Sequence, residues 1–83
     1  MPESPIVRAV RCLEIGEWQT AHEIAQQDAS SVGCWVHGIV HLVEGDLENA
    51  KYWYGRAHRT LPRGATAAAE IAALRATLAD SPQ

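Results

Sequence analysis

The chain has 83 residues, 47% of them apolar and 20% charged, with a formal net charge of -3. That balance is globular rather than disordered, and it leaves room for one domain over 1–83, which buries only about 60–65% of its unfolded surface and so has a thin expected stability margin. The negative charge disfavours general attraction to nucleic acid. No window holds the ~18 uncharged apolar residues of a membrane span, so no membrane role is expected.

Ser4-Pro5 begins the first helix, since Ser can accept from orphan amides and Pro costs nothing at the first helical position. Ile6, Val7, Val10, Cys12 and Leu13 then form an apolar face opposite Arg8, Arg11 and Glu14, ending near Gly16. Arg8 and Arg11 also interrupt any signal-peptide core, so a cytoplasmic location is expected. Trp18, Ala21, Ile24 and Ala25 continue the three-four spacing on a second helix that should stop around Asp28 to Ser31.

The third helix, Ser31 to Glu44, is apolar around nearly its whole circumference and therefore belongs at the centre of a bundle. Gly45 supplies a turn and Asp46 a cap for a fourth helix, on which Leu47, Ala50, Tyr54, Ala57 and Leu61 make one stripe before Pro62 ends it. Residues Ala65 to Ala79 are alanine-rich, and Ile71, Leu74 and Leu78 give this fifth helix a narrow apolar edge for docking. Residues 1–4 and 80–83 should fray. Cys12 and Cys34 are too few to frame a disulfide scaffold and read as buried free thiols.

Gly38, Gly45, Ala50, Tyr54, Ala57 and Pro62 resemble the tetratricopeptide repeat pattern, two antiparallel helices packed through small residues and an aromatic. A fainter copy over about 5–30 keeps Gly16, Trp18 and Ala21, with Ala9 at the small position. Its offset of 29 residues is shorter than the family's period of about 34. The resemblance implies an all-α fold of four to five helices, two helical hairpins with a C-terminal covering helix, and a non-catalytic role in protein–protein interaction or self-association. It also implies a concave face carrying Trp35, Ile39, Leu42 and Val43 for a protein or peptide partner. The competing expectation is that the first or fifth helix fills that groove. Tyr52 and Trp53 are a second candidate surface, for homodimerisation. Consecutive helical residues point about 100° apart, so the Tyr52-Trp53-Tyr54 run cannot all face one core.

Cys34, His37, His41 and Glu44 share one polar stripe within about 80° on the third helix. Imidazole, thiolate and carboxylate all ligate transition metals, so His37 and His41 are candidate ligands, with Cys34, Glu44 or His58 as further ones and His22 or Asp46 as contributions from elsewhere. The competing expectation is that the pair is satisfied by hydrogen bonds to Tyr54, Asn49 or a carbonyl, with no cofactor. Gly38 stands where a zincin motif has Glu, and no phosphate-binding Gly-rich loop, CxxC pair or dinucleotide fingerprint occurs, which lowers the expectation of an enzyme. Lys51, Arg56, Arg59 and Arg63 around Tyr52 form a local basic patch, the one feature suited to nucleic acid.

Overall fold

The computed structural model describes residues 3–80, which form five α-helices: α1 (Pro5–Glu14), α2 (Trp18–Gln26), α3 (Ser31–Glu44), α4 (Leu47–Arg56) and α5 (Ala67–Asp80). Their starts and stops follow side-chain chemistry. The Ser4 hydroxyl accepts from the Val7 amide, Ser30 from Gly33, Asp46 from Asn49 and Thr66 from Ala69, so four N-termini carry side-chain caps. Gly16 and Gly45 take positive φ (85° and 80°), and each is followed by an amide that returns to a carbonyl five residues back, Glu17 N to Cys12 O and Asp46 N to His41 O. Both helix ends are thereby closed without water.

α4 stops at Arg56, a turn and a half earlier than the Leu47-to-Leu61 stripe implies. The cause is His58, whose φ of 61° lets the Arg59 amide bond the Tyr54 carbonyl and the His58 amide bond Gly55. The same closure as at Gly16 and Gly45 is made here by a non-glycine residue. Leu61 lies beyond the helix yet still packs against the core. α2 likewise ends at Gln26, just short of the expected stop.

Consecutive helices pack in order, α1 on α2, α2 on α3 and α3 on α4, and α5 lies across α1 and α3. The chain reverses at each of the first three connections, so the turns at Gly16 and Gly45 sit at one end of the domain. α3 is the centre: residues Gly33 to Val40 are all buried. Gly38 is where α4 comes closest, since a Cβ there would stand 2.5 Å from Tyr54 Cδ1. Ala9, Val10, Leu13, Ala21, Ala25 and Leu74 complete the core, with Ile71 and Leu78 packed partly buried against it.

Expected fraying falls partly on 1–2 and 81–83, outside the described residues. Among those described, Glu3 pairs with Arg11 at 3.3 Å, Ser4 caps α1 and Asp80 closes α5. Cys12 and Cys34 are buried free thiols.

Candidate functional site

The groove that the repeat resemblance reserves for a partner is occupied. Trp35 and Ile39 are 2% and 0% exposed, and α5 lies over α3 with Leu74 fully buried. Neither residue offers a surface to a partner in this arrangement, because a domain this small needs its largest apolar face for its own core. Leu42 is half-buried and lines a shallow cleft with Leu47, Leu61 and Pro62.

Polar contacts hold α5 in place. Tyr54 Oη donates to Glu70 Oε1 at 2.6 Å and accepts from Trp35 Nε1 at 3.3 Å, while Arg75 makes a two-pronged contact with Glu14 at 2.7 and 3.0 Å. Burial, reinforced by Glu70, pushes the Tyr54 phenol above its ordinary range, so it remains a donor. Hydrogen bonds from Arg75 hold the Glu14 carboxyl below its usual range. Arg59 is exposed, as the helical stripe suggests. It folds over Trp35, its guanidinium carbon 3.4 Å from the ring centroid.

The histidines converge from two helices. His37 and His41 stand one turn apart on α3, and His22 on α2 meets them, because the chain reverses around Ala29 and Ser30, midway between His22 and His37. His22 Nε2 and His37 Nε2 are 3.0 Å apart, a hydrogen bond between imidazoles in complementary tautomers. One ligand atom from each of the three rings can be chosen so that all lie within 4.8 Å of one another. His41 Nδ1 is 3.0 Å from Glu44 Oε1, which leaves Nε2 as the nitrogen that Glu44 does not engage. His37, 6% exposed, stacks on Trp53 with centroids 3.8 Å apart and planes 10° from parallel. Burial, with His22 and His41 adding repulsion, pushes His37 down to about 4, so it is a neutral imidazole at ordinary pH.

The other candidate ligands lie elsewhere. The Cys34 thiol points to the Ala29 carbonyl at 3.9 Å and borders a cleft that it shares with His37, Asp28, Trp53 and Arg56. Glu44 orients His41 instead of joining the cluster, Asp46 caps α4 through Asn49, and the exposed His58 serves the end of α4. The internal partners anticipated for the His pair differ too: Tyr54 turns to Glu70 and Trp35, and Asn49 to Asp46.

Tyr52 is 53% exposed, as its place in the aromatic run requires, and Trp53 is the half-buried ring on His37. Arg56 donates to Tyr52 Oη at 3.3 Å and leans over both rings, so Arg56 and Arg59 of the basic patch are engaged with the chain's own aromatics. One surface was not anticipated. Ile15, Trp18, Val43 and Leu47 are 69%, 39%, 37% and 51% exposed, and all four sit at the Gly16 and Gly45 turns. Exposed Glu14, Glu17, Glu44, Asp46 and Glu48 surround them. The signal was present in Trp18 and Leu47, which open their helices at equivalent places after the two glycines, where a core residue has little to pack against.

No family model, curated protein or solved structure matches the chain.

Proposed function

We propose that this chain is a non-catalytic helical-repeat domain of the tetratricopeptide-like type, and that it holds a partner protein at its turn end. The repeat reading is supported by residues 29 apart in equivalent roles: Gly16 and Gly45 at positive φ, Ala21 and Ala50 fully buried, Trp18 and Leu47 opening the following helices. Ala9 stands in relation to Ala25 as Gly38 does to Tyr54, a smaller pair in one hairpin and a glycine under a tyrosine in the other.

The carrying observation is the rim. Among the described residues, four of the five exposed large apolar side chains gather at the two turns that share one end. Apolar side chains fringed by carboxylates match a partner segment that alternates apolar and basic residues. Of the cations near this end, Arg75 is committed to Glu14 and Arg11 to Glu3, while Lys51 and Arg63 line the cleft beside Leu47.

A photo-crosslinker placed at Leu47 tests the reading, with one at the exposed Ala76 as control. Adducts are expected at Leu47 only, through a basic-apolar segment, weakening as salt rises and lost when Trp18→Glu/Val43→Glu is added. Both substituted residues are exposed, so melting should be nearly unchanged. Equal adducts at both positions, or capture retained in the double variant, would remove the rim as the docking surface.

A further inference from the structure

We propose that His22, His37 and His41 form a binding site for one divalent transition-metal ion of the zinc, cobalt, nickel or copper type, which ties α2 to α3. The proposal is independent of the rim. Three imidazoles on two helices already converge, and an all-nitrogen set suits these borderline ions and not magnesium or calcium, which require oxygen.

Distance supports it. Two nitrogens bound at about 2.0–2.1 Å in tetrahedral geometry stand roughly 3.3 Å apart. His22 Nε2 and His37 Nε2 are at 3.0 Å, so an ion entering between them spreads the pair only slightly. The three candidate ligand atoms span up to 4.8 Å, and closing that gap takes a shift of about 1.5 Å, within the reach of side-chain rotation. The fourth place is left to water or to a group from outside, the open arrangement of three protein ligands.

The surroundings have the form of a prepared site. Glu44 holds His41 through Nδ1, the carboxylate-behind-imidazole device that fixes the tautomer and raises ligand basicity. Trp53 lies flat on His37 and fixes its plane. For both Nε2 atoms to bind one ion, the proton between them would pass to the Nδ1 of the ring that carries it.

The competing account gives these side chains a purely internal duty: a hydrogen bond from one imidazole to the other, with Glu44 closing the edge. It predicts no metal affinity and no effect of metal on melting. The experiment uses the full chain without an affinity tag, stripped by a chelator, then titrated with cobalt(II) by absorption and with zinc by calorimetry. The proposal expects one equivalent bound, a tetrahedral or five-coordinate cobalt spectrum, and a melting rise of about 10 °C or more at zinc near 100 times Kd.

His22→Gln and His41→Gln, both in partly exposed side chains, should abolish the spectrum while the helical circular dichroism stays intact. Glu44→Gln should weaken binding about 10–100-fold. Absence of cobalt and zinc binding in the wild-type chain overturns the proposal. So does binding that survives both histidine substitutions, since that ion would be seated elsewhere.

Discussion

Gly38 and His37 are neighbours in sequence, and each sets a sharp condition at the scale of single atoms. At Gly38 a Cβ would meet the Tyr54 ring at 2.5 Å, and that ring cannot slide, because its hydroxyl is fixed between Glu70 and Trp35. Gly38→Ala should therefore cost about 1–3 kcal/mol by chemical denaturation. Gly55→Ala, with nothing within 4 Å of the added carbon, should instead be neutral or stabilise by about 0.5–1 kcal/mol. At His37, the folded-state pKa of about 4 lies below the unfolded value of about 6.5, so the unfolded chain takes up the proton first. The stability that follows from a neutral His37 is complete above about 6.5 and is lost as pH falls toward about 4, because a protonated His37 would be pressed between Trp53, His22 and His41. Denaturation midpoints should decline across that window in the metal-free chain, and His37→Asn should flatten the decline. An unchanged slope in that variant would place the acid sensitivity in other groups.

Among the elements, α3 and α5 were legible in the sequence for opposite reasons. Runs such as Cys34-Trp35-Val36 and Ile39-Val40 leave α3 no wet face except the histidine stripe, so its central place follows from pattern alone. α5 was readable through only three residues, Ile71, Leu74 and Leu78, and these are the ones that pack. Its seat across α1 and α3 depends on Glu70 and Arg75 meeting Tyr54 and Glu14 on other helices, pairings that no local pattern encodes. Leu74→Ala should cost about 2–5 kcal/mol, a large part of the roughly 4–12 kcal/mol expected of a chain this long. A denaturation midpoint unmoved by that change would mean that α5 is dispensable to the core. The end of α4 was not legible. Arg56-Ala57-His58 contains neither Gly nor Pro, and only the backbone bonds around His58 show where the helix stops.

Over the whole molecule, the order of helices and the small-residue contacts could be read from spacing, whereas the exposed surfaces could not. Burial depends on which groove α5 chooses, and that choice moved Trp35 and Ile39 from candidate surface to core. The candidate metal site was half visible: the four-residue spacing of His37 and His41 is a sequence property, but the selection of His22 over His58 or Cys34 follows from the register of α2 against α3. The rim emerges only at this scale, since Ile15 with Trp18 and Val43 with Leu47 are unexceptional as local pairs and become a surface when the turns are brought to one end.

The three tryptophans occupy three dissimilar settings: Trp18 at the turn end, Trp35 sealed in the core beneath Arg59, and Trp53 flat on His37. The chain thus carries its own optical probes, one for each question the fold raises. Emission from Trp18 should respond to a partner, that from Trp35 to release of α5, and that from Trp53 to quenching by a paramagnetic ion beside its stacked imidazole. Single-tryptophan variants would separate docking, helix release and ion binding in one cuvette, without an added dye.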